Sequence, residues 1–449
     1  MLHVAVVGSG PSGVYSAQGL VQRSGPPDIR VDVLDRLPCP YGLVRYGVAP
    51  DHEKIKSLQN NLRTVLENER VRFLGGVQVG PGGVPVARLR ELYHAVVYCV
   101  GAATDRHLGV PGEDLPGSWS ATEFVSWYSA HPDSVTDGFV AGARSAVVIG
   151  IGNVAVDVTR ILARGAPELS PTDMPQAALS ALAASEVTEI SMVGRRGPSQ
   201  ARFTTKELRE LGSLPEADVV VDQAELALDP AYLDPSGLPA AQRRNVEVLR
   251  GWAAAAPLGR PRRIRPRFFL RPVELLADGG RVGAVRFERT VPDGEGGVTG
   301  TGRFEEIEAQ LVLRSVGYRG VPLDGLPFDP GRGTVPQLAG RVLRDGVVSP
   351  GEYVAGWIKR GPTGVIGTNR PCAKETVTSL LEDAPALVRR EVVEDPLAAL
   401  LADGVRPAEW AGWQAIERAE AELGAELGRG VVKLPDWDAL WTAARTARS

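Results

Sequence analysis

Residues 2–20 read LHVAVVGSGPSGVYSAQGL, and residues 145–163 read SAVVIGIGNVAVDVTRILA. Both stretches follow one plan. A largely apolar run stops at a glycine, Gly8 or Gly150. A G-x-G-x-x-G or G-x-G-x-x-A turn follows, and a helix-like segment begins at Pro11 or Asn153. This is the strand–turn–helix context that a dinucleotide-binding turn requires. The glycines Gly8, Gly10 and Gly13 permit a tight turn and the close approach of a pyrophosphate to the helix N-terminus. In the second copy Gly150 and Gly152 do the same, and an alanine at the third position, Ala155, keeps close helix–strand packing.

The two copies differ at the end of their second strands. After Gly8 the chain runs through the helical segment to a strand, Ile29–Leu34, which ends at Asp35, 27 positions beyond the first glycine. An acid there grips a ribose hydroxyl. The corresponding strand of the second copy, EVTEISMV (Glu186–Val193), ends instead in Gly194, Arg195 and Arg196. Two guanidinium groups suit a phosphate, through charge-assisted bonds, and they stack on adenine. The first site is therefore expected to hold a dinucleotide with a free ribose hydroxyl, most simply FAD, and the second NADP(H).

Working outward, the 449 residues allow about three domains. The stretch PCPYGLVRYGVAP (38–50) is too rich in Pro, Gly and Tyr for a regular element, Glu53–Leu66 looks helical, and Ala95–Val100 reads as a buried strand. A connector, VPGEDLPG (Val110–Gly117), marks a boundary. Residues 165–185 have short, Ala-rich helical character, and residues 270–316 alternate in the manner of hairpins. From about residue 325 the chain returns to the first unit through EYVAGW (352–357), and WQAIERAEAELGAEL (413–427) is an amphipathic helix. The expected fold is α/β, with two Rossmann-like domains, the second inserted into the first. The expected boundaries are 1–107, 108–322 and 323–449.

Apolar residues make up 43% and charged residues 23%, ordinary for an enzyme with a large core, and the net charge of −4 excludes a global attraction to nucleic acid or anionic membrane. Three scattered cysteines, Cys39, Cys99 and Cys372, form no C-x-x-C, so no dithiol, metal or iron–sulfur site is expected. No run reaches the roughly 18–20 apolar residues that span a bilayer, and the N-terminus enters a strand at once. The expectation is a cytoplasmic monomer.

Taken together, VVGSGPSG, YGLVRYGVAPDH (41–52), GIGNVAVDVTRIL, VGRRGPSQARFTTKELRE (193–210), RSVGY and GWIKRGPTGVIGTN (356–369) resemble the adrenodoxin-reductase type of NADPH–ferredoxin reductase. The resemblance implies that Ser12, Asp35, Leu43 and Val79 line the FAD site. Gly152, Asn153 and Val154 would meet the NADP pyrophosphate, with Arg195, Arg196 and Glu207 around the 2′-phosphate and adenosine. Trp357, Gly364, Val365 and Ile366 would lie beside the flavin ring and nicotinamide. Independently, Pro362 and its flanking glycines bend the chain into a helix whose free N–H groups would favour negative charge on a reduced flavin. Ile151 and Asp35 depart from the residues common in the family (Gln and Glu). His52 either relays a proton or caps the following helix; Glu210 is a second relay candidate.

The resemblance also implies transfer of hydride from NADPH to FAD and of single electrons to a small iron–sulfur ferredoxin. Other readings are a reductase domain like the small subunit of glutamate synthase, which usually brings a cysteine-rich segment this chain lacks, and a redox sensor without turnover. An acidic ferredoxin needs a basic face for transient electrostatic docking. Two stretches could supply it: Arg243, Arg244 and Arg250, and GRPRRIRPRFFLR with Arg260, Arg262, Arg263, Arg265 and Arg267.

Overall fold

The computed structural model describes residues 1–449 apart from 24, 26, 135–137 and 449. The chain forms two compact units: Met1–Val48, His52–Thr104 and Tyr318–Ser449 in one, Ala49–Asp51 and Asp105–Gly317 in the other. Each is built on a largely parallel sheet, so the fold is the expected pair of Rossmann-like units with the second inserted into the first.

In the first unit the parallel strands run in the order Val347–Val354, Ala95–Tyr98, Leu2–Val7, Ile29–Asp35 and Val71–Gly75. Two antiparallel strands, Arg341–Arg344 and Gln337–Leu338, extend one edge. Leu2–Val7 is central, which is why its sequence is apolar apart from His3 rather than alternating. Leu2, Val4 and Val6 pack towards the helices Pro11–Val21 and Asn369–Leu387, through Val14, Leu20, Val377 and Leu380. Ala5 and Val7 face the other way, onto Leu89 and Leu92 of the helix Val86–Leu92.

The second unit has six parallel strands in the order Ser118–Ser120, Leu311–Arg314, Ser145–Ile149, Glu189–Val193, Arg262–Arg267 and Ala217–Val219. On one face Ala146 and Val148 share a core with the helix Asn153–Ala163. On the other, Val147 and Ile149 meet Leu275, Val285 and Phe287 from a three-stranded antiparallel sheet. Those strands, Leu270–Asp278, Arg281–Pro292 and Val298–Glu308, are the hairpins expected within 270–316.

Two local expectations are corrected. The single helix expected over Glu53–Leu66 is two, Glu53–Lys56 and Leu58–Leu66, and at the junction the Ser57 hydroxyl donates to the Lys54 carbonyl (2.8 Å). Such a local bond competes with helix continuation. The stretch 38–50 is irregular except for one helical turn, Leu43–Tyr46. Among the described residues no helix is long and apolar enough to cross a membrane.

Candidate functional site

The two glycine turns are built alike. Each first glycine donates its N–H to the end of the neighbouring strand, Gly8 to the Leu34 carbonyl (2.7 Å) and Gly150 to the Val193 carbonyl (2.8 Å). Both have positive φ, +108° and +144°. A Cβ on Gly8 would lie 2.5 Å from the Cys99 carbonyl oxygen, and one on Gly150 would run into the carbonyl of Ser315. A Cβ on Gly13 would collide with the Gly8 carbonyl. These glycines therefore make room for the chain itself. The middle glycines are different. Around a Cβ on Gly10 only the Gly42 Cα comes near, at 3.9 Å, and nothing lies within 4 Å of one on Gly152. Gly10 and Gly152 are the positions where an outside group can approach the backbone.

Both turns lie at the C-terminal end of a strand flanked by parallel neighbours on either side, Leu2–Val7 in one sheet and Ser145–Ile149 in the other. Open α/β sheets bind ligands at such positions, where the chain departs to opposite sides. The helices that follow, Pro11–Val21 and Asn153–Ala163, begin at the turn with no side-chain cap. Their first N–H groups and the positive end of the helix dipole face that opening, which suits a pyrophosphate.

In the first unit Asp35 closes the glycine turn. Its Oδ2 accepts from the Ser9 amide (2.8 Å) and the Ser9 hydroxyl (2.5 Å), and its Oδ1 from the Leu37 amide (3.0 Å). Burial raises its pKa above the ordinary carboxylate value, while the Ser9 and Leu37 hydrogen bonds act in the opposite direction. Lone pairs remain on Oδ1 for a ribose hydroxyl. The Ser12 hydroxyl donates to Asn369 Oδ1 (3.0 Å), which also accepts from Arg360 (2.9 Å). This joins the glycine helix to the GWIKRGPTGVIGTN segment. There Trp357 opens a one-turn helix, Trp357–Arg360, and stacks on Tyr318 with centroids 5.2 Å apart. Its buried Nε1 has no hydrogen-bond partner among the described residues, an unsatisfied donor of the kind a bound group can meet. Gly364 turns with φ +83°, Val365 is 59% exposed, and Ile366 starts a 3₁₀ turn that leads into Asn369–Leu387. Leu43 is 40% exposed on its helical turn, whereas Val79 is buried beside a bridge to Val84. An open glycine cradle, an acid at the ribose position and exposed apolar side chains fit an adenine dinucleotide with an apolar ring system.

His52 is buried at the head of Glu53–Lys56, but its side chain makes no cap bond, so capping is not its role.

In the second unit Arg195 is exposed and Arg196 half-buried at the end of Glu189–Val193. Neither guanidinium has a hydrogen bond or ion pair with any described residue, and the Arg196 Nε is buried without a partner. Ile151 packs on Gly194, and its carbonyl accepts the Arg202 amide (2.9 Å), so the 194–202 loop folds back onto the glycine turn. Arg202, exposed and likewise unpaired, escaped the sequence reading; its signal is a cation between the apolar Ala201 and Phe203, six positions beyond Arg196. Asn153 Oδ1 accepts the amide of Thr204, the N-cap of Thr205–Gly212. Val154 packs partly against the core. Glu207 and Glu210 both approach Arg160 Nη1, at 3.8 and 3.3 Å. Arg160 is fully buried and also holds Asp51 and Asp157. These two acids are thus arranged around an internal cation.

Two glycine cradles on two parallel sheets, one ending in an acid and the other in free arginines, define a two-nucleotide flavoprotein reductase. A model of the family described as pyridine nucleotide-disulphide oxidoreductase matches residues 2–198. The chain is 45% identical to the NADPH-ferredoxin reductase FprA of Mycobacterium leprae, covering 97% of this chain and 96% of the relative. It is 41% identical to the mitochondrial NADPH:adrenodoxin oxidoreductase of Arabidopsis thaliana, covering 99% and 95%. The solved structure of Mycobacterium tuberculosis FprA in complex with NADPH superposes with a TM-score of 0.93 at 44% identity, with both chains covered in full. The chain belongs to the NADPH–ferredoxin reductase family of the adrenodoxin-reductase type, and is an FAD-dependent oxidoreductase.

Proposed function

We propose that the protein oxidises NADPH and delivers the electrons singly to a ferredoxin-type iron–sulfur protein. FAD, when bound, supplies the step between two-electron and one-electron chemistry. The chain's own part is binding, orientation and charge. Gly10 and the head of Pro11–Val21 receive the FAD pyrophosphate, and Asp35 accepts a ribose hydroxyl. Trp357, held by Tyr318, lies beside the ring system, and the turn 364–367 offers amide groups to negative charge there. Gly152 and the head of Asn153–Ala163 receive the pyrophosphate of NADPH. The observation that carries the reading is the contrast between Asp35 at one ribose position and unpaired Arg195 and Arg196 at the other. A free guanidinium pair is what a 2′-phosphate selects, and Arg202 adds a third cation on the same loop.

The test is a flavin extraction followed by nucleotide kinetics. Purified protein should carry one non-covalent FAD and be reduced by NADPH far faster than by NADH. Each charge-assisted contact contributes roughly 1.5–3 kcal/mol, so Arg195→Ala/Arg196→Ala should weaken NADPH by about two to four orders of magnitude. NADH kinetics should barely change. Equal losses for the two nucleotides would rule out recognition of the 2′-phosphate.

A further inference from the structure

The loop Tyr41–Tyr46 lies on the first glycine turn in a conformation it would not choose alone. Tyr41 has φ +82° and Gly42 φ +50°. A left-handed tyrosine persists only where its surroundings over-determine it. One constraint is the glycine turn itself: the Tyr41 amide donates to the Ser9 carbonyl (3.1 Å), and a Cβ on Gly42 would lie 2.9 Å from the Gly10 Cα. The loop is thus stacked on the one glycine of this turn that is open to a ligand.

The second constraint comes from far along the chain. Arg45 is buried and makes two hydrogen bonds to Glu420, Nη1 to Oε2 (3.1 Å) and Nη2 to Oε1 (2.5 Å). The side chains of Arg45 and Glu420 are 5% and 3% exposed. The guanidinium also sits over the rings of Tyr46 (4.9 Å) and Trp413 (5.0 Å), and Trp413 meets Tyr41 edge to face. Glu420 and Trp413 belong to the helix Trp410–Glu426. Just beyond that helix the chain returns: Lys433 Nζ donates to the Arg45 carbonyl (2.6 Å), and the Leu434 amide donates to Glu420 Oε1 (3.0 Å).

A buried ion pair is a poor device for stability alone, since apolar residues of similar volume often stabilise as much or more. What a two-pronged guanidinium–carboxylate pair supplies is a fixed position for both partners. We propose that Glu420 is a positioning residue for the flavin site: through Arg45 it holds Tyr41–Tyr46 against Gly10, so that FAD binding and the seating of the C-terminal helix are linked. The linkage rests on the reading of the first glycine turn as the FAD site. Because linkage is reciprocal, FAD must in turn tighten the C-terminal helix and the strap at 431–434.

The test titrates flavin-free protein with FAD, following quenching of flavin fluorescence, for the wild type, Glu420→Gln and the apolar double variant Arg45→Met/Glu420→Leu, with the thermal midpoint of each. Glu420→Gln should raise the FAD dissociation constant at least tenfold. The double variant should recover most of the thermal midpoint without recovering FAD affinity, which a merely structural role would not produce. Recovery of both together, or wild-type affinity in both variants, overturns the proposal. In the wild type, hydrogen exchange of 410–434 should slow when FAD is added; unchanged exchange overturns the proposal even where a variant fails to fold. A wild type that takes up no FAD overturns the underlying reading as well.

Discussion

At the scale of single residues, the two glycine turns separate glycines that the chain itself needs from glycines that leave the backbone open. Sequence alone credits them together with the tight turn and with the approach of a pyrophosphate. The structure divides them: Gly8 and Gly13 clear the carbonyls of Cys99 and Gly8, while Gly10 and Gly152 clear nothing of the protein. Gly13→Ala should therefore lower stability by roughly 2–3 kcal/mol, as overpacking does. Gly10→Ala has an ordinary φ of −67° and room for the methyl group, so its fold should stay within about 0.5 kcal/mol of wild type. Its FAD affinity should nevertheless fall at least about tenfold, because the methyl group occupies the place where backbone meets pyrophosphate. Chemical denaturation of the flavin-free protein, set beside FAD titration, separates the two effects. A Gly10→Ala protein that binds FAD as tightly as wild type would show that the cradle is not where the nucleotide lies.

At the scale of elements, the ends of the strands opposite the nucleotide turns carry a histidine pair. The His3 amide donates to His94 Nδ1 (3.0 Å), the His94 amide donates to the His3 carbonyl (3.0 Å), and the rings stack 5.9 Å apart. Burial, with the neighbouring His3, lowers the His94 pKa from 6.5 to about 4, and burial lowers that of His3 too. Asp32 opposes the shift at His3, while Arg30, Arg72, Arg390 and the N-terminus reinforce it in the pair. An unfolded chain takes up the proton near pH 6.5 and the folded chain only near 4, so this contribution to stability is complete above 6.5 and declines as pH falls towards 4. His94→Asn keeps an acceptor for the His3 amide and removes the titration. In urea unfolding, the wild type should lose roughly 1–2 kcal/mol more than His94→Asn between pH 7 and 5; equal losses would assign the acid limb to other groups. Elements were legible where one rule governed them. The largely apolar runs Leu2–Val7 and Ser145–Ile149 declared buried parallel strands. The strand Arg262–Arg267 was not legible, because its arginines look like a solvated loop until Glu189, Glu216 and Glu225 are seen beside them. Nor was the Arg45–Glu420 pair, since partners 375 residues apart leave no local pattern.

At the scale of the whole molecule, the expectation that an acidic ferredoxin docks on a basic face has to meet a net charge of −4, and the ion pairs within the fold narrow which arginines are free for that role. The stretch 260–267 is a poor candidate. Arg263 and Arg265 both pair with Glu189 (2.9 and 3.1 Å), Arg262 with Glu216 (2.6 Å), and Arg267 with Glu225 and Glu305 (2.6 Å each). Arg260 holds backbone carbonyls near Asp218, so the charge of this segment is largely compensated within the fold. Arg250 is engaged with the Tyr232 and Leu233 carbonyls. Arg243 and Arg244, on the helix Ala240–Ala254, are exposed and have no partner among the described residues. Arg244 also lines a hollow of about 500 Å³ with Lys206, Arg209 and Glu210; Lys206 pairs with Glu210 there (3.8 Å), which leaves Arg209 and Arg244 as its uncompensated cations among the described residues. Several such charges together raise an encounter rate by roughly tenfold or more at low salt, although each pair alone is weak. Ferredoxin reduction should therefore slow steeply as ionic strength rises and the Debye length falls below about 10 Å, while reduction of a small neutral dye responds much less. Arg243→Glu/Arg244→Glu should slow the ferredoxin reaction about tenfold at low salt, leave dye reduction nearly unchanged, and flatten the salt dependence. Arg263→Glu/Arg265→Glu places like charges beside Glu189, so it should lower the thermal midpoint instead and leave the salt dependence of ferredoxin reduction intact. If reversal at 243 and 244 slowed dye and ferredoxin equally, these arginines would serve nucleotide binding or folding, and the partner would have to dock elsewhere.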